Sequence, residues 1–467
     1  MVPYPSWLNA GDTSWQLTAA TLVGLMSLPG LAVLYGGLVQ RKWAVNTMMM
    51  AFSGFAMVLI VWVLWVFKMG FGQPWIGQFV GKPNTVVGAF NEQGQAHIPL
   101  VSGAGFMPKF HFSQAALVYF QFVFAAITPL LFLGSVIGRI SFKVWIIFVP
   151  LWSTFAYSVN AFLLWGGGYW AQKGALDFSG GYVIHLAAGV SGFVAAAVIG
   201  PRLKRDRDHG VPNNLLLCSV GAGILWLGWN GFNGGDPYFA SADAAAAVLN
   251  TNLATAVAMM TWIILDMVGT KEKKPTFLGG INGMIVGLVG ITPAAGYVNG
   301  VGAIVIGLAG STIVWLAWNY LSKVPPFNKV DDTLGVVYTH GIAGLAGGLM
   351  VGLLADPKMI VYLGVGKSSG FTTAGLFYGH PKQLLIQAEA ALTVIVWDAL
   401  VTFILLKLIS IFMKLRMPDE VLELGDVAAH GEVVYPEESL VGVGATVPAA
   451  VPSGAAREGE PLTHSDG

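Results

Sequence analysis

The sequence predicts an all-α polytopic membrane protein with eleven transmembrane helices, arranged as a 5+5 inverted repeat plus an eleventh helix. Composition, the apolar segments and an internal repeat support this fold class. Of the 467 residues, 55% are hydrophobic and only 10% are charged, whereas a soluble domain has about 25% charged residues. The repeated apolar segments reach the ~20 residues that a helix needs to cross a bilayer.

Eleven segments are predicted to span the membrane, and together they define the membrane domain, residues 1–413. The predicted spans are 15–39, 44–67, 112–138, 144–165, 180–200, 213–233, 244–268, 277–298, 300–322, 333–355 and 384–413. The two repeat halves are predicted at about 15–200 and 213–355.

The segment after the last span is predicted to have two parts. Residues 414–440 are charged and polar, which is typical of a cytoplasmic regulatory tail that docks on the helix bundle or on a partner. Residues 441–467 have low complexity, and we expect them to be disordered.

The distribution of Lys and Arg between the connections predicts the orientation in the membrane. The connections that follow odd-numbered spans hold fifteen of these residues, and the connections on the other side hold seven. Because the side with more Lys and Arg faces the cytoplasm, the N-terminus is predicted to lie outside the cell and the C-terminus in the cytoplasm, on either side of the plasma membrane. An odd number of spans requires the same arrangement of the termini.

Charge and cysteine content exclude several classes of function. The chain holds 24 basic and 24 acidic residues, so it lacks the basic field with which a protein binds nucleic acid. Cys218 is the only cysteine, which rules out an intramolecular disulfide and a thiolate metal cluster.

An internal repeat relates the two halves of the chain. The sequence GGYVIHLAAGVSG around His185 matches GVVYTHGIAGLAG around His340, with Gly four and seven residues after each His. An Asp lies eight residues before each His, at Asp177 and Asp332. A second match, ITP, occurs in spans 3 and 8. Both matches are offset by five spans, and because five is odd the halves have opposite topology.

The two repeated histidines are the main candidate functional residues. A single His inside a span is usually a core residue that bridges two helices. Two at equivalent positions of an inverted repeat favour a pore or relay role, because the substrate path of such proteins lies between the halves. No third ligand shares the depth of His185 and His340, so we predict no metal site. Asp177 and Asp332 are predicted to be helix-start acids, with Asp177 near the entrance.

Aromatic residues form a second set of candidates. Trp165, directly before GGG, is either an interface-belt residue or part of a cation–π site for a small cation. Phe120 and Phe124 are four residues apart and share one helix face, as core residues also would.

The whole pattern resembles the ammonium transporter family (Amt/Mep/Rh), mostly its Amt branch. The resemblance extends to about residue 436, and the stretches that carry it are LPGLAVLYGGLVQRKWAVN, WGGGYWAQKGALDFSGGYVIHLAAGVSG, GWNGFNGGD, GLVGITPAAGYV, DDTLGVVYTHGIAGLAGG and HGEVVY. It implies a transporter or channel rather than an enzyme, without a cofactor. The implied assembly is a homotrimer in which each subunit has its own narrow apolar pore for ammonium, ammonia or methylammonium.

The resemblance also implies a role for each motif residue. Trp165 and Phe120 would recruit ammonium at the outer vestibule, and Phe124 with Phe232 would form the gate below. His185 and His340 would be the twin histidines that line the pore, with Asp177 supporting the entrance. The tail residues that match are Asp426, His430, Gly431 and Glu432. Tails of this kind contact the neighbouring subunit and, in many members, govern block by a PII-type signalling protein.

Three positions depart from the family pattern. Asp236 replaces a small hydroxyl residue at the recruitment site, where it either strengthens cation capture or is paired and structural. Asp398 is an unexpected acid inside span 11, which we expect to face protein and to pair with a polar group of a neighbouring helix. In the tail, Leu424 and Gly425 stand where the family more often has Gly-Leu, which puts the docking of the tail in question.

Two other functions compete with transport of ammonium. An ion-coupled symporter for a larger solute would use Asp236 and Asp398 as coupling sites, but a dry path lined by two histidines argues against it. An ammonium sensor would bind ammonium without conducting it and would signal through a partner protein.

Overall fold

The computed structural model describes residues 5–99, 109–359 and 374–435. The predicted disorder of 441–467 and the end of the predicted tail, 436–440, lie outside these residues. Within them the chain is mostly helical, and ten helices are long and apolar enough to cross a membrane, with an eleventh that is shorter. We number them span 1 to span 11: Ala10–Leu38, Arg41–Phe71, Gln114–Val136, Phe142–Lys173, Gly181–Ile199, Leu215–Gly235, Ala242–Gly269, Phe277–Ile291, Gly300–Lys323, Val337–Leu354 and Lys382–Phe412.

Short elements connect the spans. Span 4 is interrupted by a turn after Leu164, and its last five residues form the separate helix Tyr169–Lys173. A two-stranded antiparallel hairpin follows span 2, with strands Pro74–Ile76 and Val80–Gly81. The remaining described helices and 3-10 turns outside the spans are Ala89–Gln93, Lys204–Asp208, Phe327–Lys329, Leu376–Tyr378, Asp419–Leu424 and Asp426–His430.

The predicted number of spans is confirmed, but the end of span 8 differs from its predicted position. That span was predicted to reach residue 298, but its helix ends at Ile291. The chain continues through hydrogen-bonded turns in which the carbonyl oxygens of Thr292 and Pro293 accept the N–H groups of Ser179 and Phe178, at 3.1 and 3.2 Å. The helix therefore opens where its carbonyls bind the loop before span 5.

The other half of the chain repeats this arrangement at the opposite face. We call the face at which span 1 begins the N-face, and the face at which span 11 ends the C-face. Before span 10, at the C-face, the N–H groups of Thr333 and Leu334 bond to the carbonyl oxygens of Ser135 and Gly134 at the end of span 3. Each half thus binds the loop that begins the His-bearing helix of the other half, as an inverted repeat requires.

Glycines allow the two His-bearing helices to cross in direct contact. A Cβ at Gly189 of span 5 would overlap the backbone of Gly341 in span 10. A Cβ at Gly344 would lie 2.5 Å from the carbonyl oxygen of Gly181 and 3.0 Å from the Cβ of His185. Small residues at a crossing let helix backbones approach closely, which is a main source of helix association in membranes.

We therefore expect Gly189→Leu to destabilise the bundle by more than the ~1–3 kcal/mol typical of an overpacked core, because a leucine side chain would force spans 5 and 10 apart. Thermal unfolding in detergent measures the effect. The matched control is Gly223→Leu in span 6, where no atom lies within 4 Å of an added Cβ. Equal stability of the two variants would contradict the importance of this crossing.

Candidate functional site

The two repeated histidines lie against each other at the centre of the bundle. His185 belongs to the π-helix Gly181–Leu186 and His340 to the π-helix Val337–Ile342, so both lie in a widened turn at the start of their span. Their Nδ1 atoms are 3.3 Å apart, and their exposed fractions are 0% and 3%. When both rings are neutral, the Nδ1–H of one ring can donate to the Nδ1 of the other, and the tautomers decide which ring is the donor.

A carboxylate at the start of each His-bearing helix holds the helix in place. Asp177 accepts hydrogen bonds from the N–H groups of Gly180, Tyr182 and Val183, at 3.0 to 3.2 Å. Asp332 accepts one from the N–H of Val337, at 2.8 Å. These bonds satisfy backbone donors that the first turn of a helix leaves free, as the helix-start assignment of both acids predicts.

A buried arginine supports the loop before span 10, a role that the sequence analysis did not assign. Arg139 is fully buried and donates to the carbonyl oxygens of Ser135 and Asp331 and to the Oγ1 of Thr333. The Asp331 carboxylate also forms an ion pair with Arg202 at 2.7 Å. Burial alone would raise the pKa of Asp331, but the hydrogen bonds and charge of Arg202 hold it below its ordinary value. The loop that begins the His340 helix is therefore fixed by charge-assisted bonds.

Stacked aromatic rings cover the histidine pair on the side of the N-face. The rings of Phe124 and Phe232 stack with centroids 4.2 Å apart and an interplanar angle of 21°. Phe232 lies 6.0 Å from the ring of His185. Trp229 stacks on the same imidazole at 5.3 Å and donates its indole N–H to the Oγ1 of Thr292 at 2.9 Å. Both phenylalanines are fully buried, so the stack closes the approach to the histidines.

Two further aromatic residues extend this column toward the N-face. The ring of Phe120 lies 4.8 Å from Phe124, and the indole of Trp165 meets Phe124 edge-on at 6.3 Å. Trp165 is partly exposed, unlike the rings below it. Its indole N–H donates to the carbonyl oxygen of Asp177 at 2.7 Å, which fixes its orientation beside the start of span 5. The structure thus brings the predicted recruitment and gate residues together in one column.

Asp236 lies at the end of span 6, beside this column. It follows Gly235, whose Cα faces the ring of Phe120, and only 5% of the residue is exposed. Its nearest polar neighbours include Ser179 and Asp177. The Oδ2 atom has no hydrogen-bond partner, and within the described ranges no Lys or Arg forms an ion pair with this carboxyl. An acidic oxygen is therefore left free next to the aromatic column.

The predicted tail residues lie at the C-face, away from the histidines. Asp426 accepts the N–H groups of Val45 and Asn46 at the start of span 2, at 2.7 and 2.8 Å, and His430 meets the Oδ1 of Asn46 at 2.9 Å. Burial raises the pKa of Asp426, although these N–H groups oppose the shift. Gly425 has a φ of 72° and packs against Lys42. Gly431 ends the last helix with a φ of 73°, and Glu432 is exposed.

Sequence reasoning missed several residues around the site. Trp229 lies three residues before Phe232, a spacing that places both rings on one helix face and was a usable signal. Arg139 and Asn160 carried no such signal, because the Arg139–Thr333 and Asn160–Asp398 bonds join residues more than 150 positions apart. Asp398 faces protein as predicted: it is fully buried and accepts the side-chain N–H of Asn160 at 2.7 Å.

The apolar surroundings of the histidine pair determine which molecules this site can accept. An ion that passed the stacked rings would lose its hydration shell among apolar groups, which costs far more free energy than the desolvation of a neutral molecule. A small neutral molecule with hydrogen-bonding atoms can instead bond to the imidazoles. Among the described residues, no group of three or more His, Cys, Asp or Glu side chains could hold a metal ion.

Comparison with known proteins identifies relatives that match most of the chain. The model of the Ammonium Transporter Family matches residues 14–435. "Ammonium transporter 2" of Arabidopsis thaliana is 49% identical over 434 residues, which are 92% of this chain and 89% of that protein. "Ammonium transporter 3 member 2" of Oryza sativa subsp. japonica is 47% identical, with 92% and 90% covered. The crystal structure of Candida albicans Mep2 superposes with a TM-score of 0.76 at 28% identity, with 88% and 87% covered.

Proposed function

This chain belongs to the ammonium transporter family, and on that premise we propose that it carries ammonium across a membrane and is not an enzyme. The observation that carries the proposal is the buried pair of His185 and His340 directly below the stacked rings of Phe124 and Phe232. Relatives with 43 to 49% identity are named ammonium transporters, which supports the same substrate here.

In the proposed mechanism, NH₄⁺ is recruited beside Trp165 and Phe120, where the faces of the rings attract a cation by ~0.5–2 kcal/mol. It then loses a proton, and NH₃ passes the gate of Phe124 and Phe232 and bonds to the twin imidazoles. The proton moves by a separate route. K⁺ has no proton to lose, so the cost of desolvation excludes it. The dry surroundings of the histidine pair support this selectivity.

Asp236 is the residue through which this chain would strengthen cation capture. The sequence left two roles open for Asp236, cation capture and a paired structural role. Within the described ranges no Lys or Arg pairs with its carboxyl, and Ser179 is its hydrogen-bonding neighbour. Its free Oδ2 lies near Ser179 and Asp177, close to the aromatic column. When it is ionised, a carboxyl at this position would attract a cation and raise its local concentration.

The protein's setting is proposed from the charge pattern and the family. We propose a plasma-membrane protein with the N-face outside and the C-face in the cytoplasm, because the basic connections lie at the C-face. A homotrimer with one path in each subunit, in contact with membrane lipid, is the proposed assembly. The docked tail at the C-face, which includes Asp426 and His430, is the proposed regulatory element and the binding surface for a PII-type signalling protein.

The two competing functions differ from this proposal in what they predict for uptake. A sensor that signals through a partner would bind ammonium without saturable transport. An ion-coupled symporter would take up a solute larger than ammonia and would depend on Asp236 and Asp398. The closed aromatic stack and the imidazole pair support a path for a small neutral molecule over the symporter, and measurements of uptake separate transport from sensing.

The first prediction concerns uptake itself. The protein should confer saturable methylammonium uptake on a cell that lacks its own transporters, and ammonium should evoke a current in reconstituted membranes. His185→Ala and His340→Ala should each lower transport by at least about tenfold, since each leaves a buried polar partner without its hydrogen bond, at ~1–3 kcal/mol. Absence of saturable uptake despite normal membrane insertion would favour the sensor, and absence of a current would rule out electrogenic transport.

Asp236→Ser tests the capture site. We expect its apparent KM for methylammonium to rise at least about fivefold, because a single charge contact contributes ~1 kcal/mol even in a medium like water. Uptake measured at several pH values should also lose part of its pH dependence. An unchanged KM with an unchanged pH profile would show that Asp236 plays no part in capture.

Asp426→Ala tests the docking of the tail. Loss of the carboxylate leaves two buried N–H groups of span 2 without acceptors, at ~1–3 kcal/mol. We expect faster proteolytic cleavage between residues 414 and 435 and weaker binding of a PII-type protein. Glu420→Ala, which alters an exposed residue of the same tail, is the matched control. Equal cleavage of both variants would contradict the proposed dock.

A further inference from the structure

Span 11 lies outside both repeat halves, yet it carries buried polar side chains, among them two glutamines and an aspartate. Gln383, Gln387 and Asp398 have exposed fractions of 1%, 0% and 0%. Polar groups inside a membrane-spanning helix cost free energy unless they are hydrogen-bonded, and they often have a functional reason. The proposed transport mechanism uses none of the three.

The two glutamines bind the chain just before Asp177. Gln387 donates to the carbonyl oxygen of Leu176 at 2.7 Å and accepts the N–H of the same residue, also at 2.7 Å. Gln383 donates to the carbonyl oxygen of Gly174 at 2.8 Å. A two-way bond of this kind matches the pairing between strands and fixes the backbone of Leu176. The next residue, Asp177, supplies the carbonyl oxygen that accepts the Trp165 indole.

Asp398 attaches span 11 to span 4, which carries Trp165. Asn160 donates to its Oδ2 at 2.7 Å and lies in the helical segment Ser158–Leu164 of span 4, five residues before Trp165. This segment follows the π-helix Ser153–Tyr157. Helices bend at π-segments, so the part beyond one needs its own attachment to hold a fixed direction. A second bond joins the same two spans, from the indole N–H of Trp397 to the carbonyl oxygen of Phe155 at 3.0 Å.

From these contacts we infer that span 11 is a clamp that sets the position of the Trp165 indole. It holds span 4 through Asp398 and Asn160, and it holds the loop before span 5 through Gln387 and Leu176. Asp398 and Gln387 are then positioning residues for cation recruitment, and Asp398 is not a coupling site for a second ion. This inference rests on the proposed function, because the effect of the clamp is measured as the apparent affinity for ammonium.

The experiment separates KM from the maximal rate of methylammonium uptake. Asp398→Leu removes the acceptor for Asn160, so we expect KM to rise by about fivefold, the equivalent of ~1 kcal/mol for one hydrogen bond, with little change in the maximal rate. Asp398→Asn keeps an oxygen acceptor and should stay near the wild-type KM. The double variant Asn160→Asp with Asp398→Asn exchanges the two groups and should also restore it.

A double-mutant cycle with Trp165 tests whether the effect passes through the indole. In a Trp165→Leu background, Asp398→Leu should raise KM no further, because the side chain that the clamp positions is gone. If Asp398→Leu does not reach the membrane, Gln387→Leu replaces it in the same cycle. Thr393→Val, a partly exposed position of span 11, is the control and should leave KM unchanged.

The remaining outcomes would overturn either the clamp or the proposed function. Loss of transport in Asp398→Asn would overturn the clamp in favour of an ionisable coupling site. Additive effects of Trp165→Leu and Asp398→Leu would show that Asp398 acts elsewhere in the protein. A wild-type protein without uptake would overturn the proposed function. Uptake that responds to Trp165→Leu but not to Asp398→Leu would overturn the clamp alone.

Discussion

The contact between the imidazoles of His185 and His340 depends on the close crossing of spans 5 and 10 at Gly189 and Gly341. Both imidazoles are buried among apolar helices, where a polar atom without a partner costs free energy, so their contact stabilises the two Nδ1 atoms. Only backbones in direct contact bring the Nδ1 atoms within 3.3 Å. The rest of the structure around the site keeps these two helices at that distance and in that rotation.

Because of the inverted repeat, contacts at both faces hold spans 5 and 10 at this distance and rotation. At the N-face the carboxylate of Asp177 caps span 5, and at the C-face that of Asp332 caps span 10. The loop before each helix is tied to the end of a span in the other half, so neither half can shift without the other. The two caps are not chemically equal. Arg139 and the Asp331–Arg202 pair support the loop at the C-face, whereas polar side chains of span 11 and the Trp165 indole hold the one at the N-face.

Local sequence pattern predicted most of the architecture because its signals are short-range. Apolar segments long enough to cross a bilayer predicted eleven spans, and the described part of the chain contains ten such helices and a shorter eleventh. The boundary of span 8 was wrong by seven residues, since its end is decided by the loop that binds Thr292 and Pro293 and not by hydropathy. For the site, the repeat singled out both histidines, and the resemblance to ammonium transporters identified Trp165 and the phenylalanines. The residue roles themselves remain proposals.

By itself the sequence determined the membrane class, the number of spans, the inverted relation of the halves and the pair of equivalent histidines, because each is written in residues close together in the chain or in a direct repeat. Only the tertiary structure decided which side chains meet. The Asn160–Asp398 bond joins residues 238 positions apart, and the Leu176–Gln387 bonds join residues 211 apart. No local pattern encodes such pairs, because they exist only once the helices have packed and buried polar groups have found partners within reach.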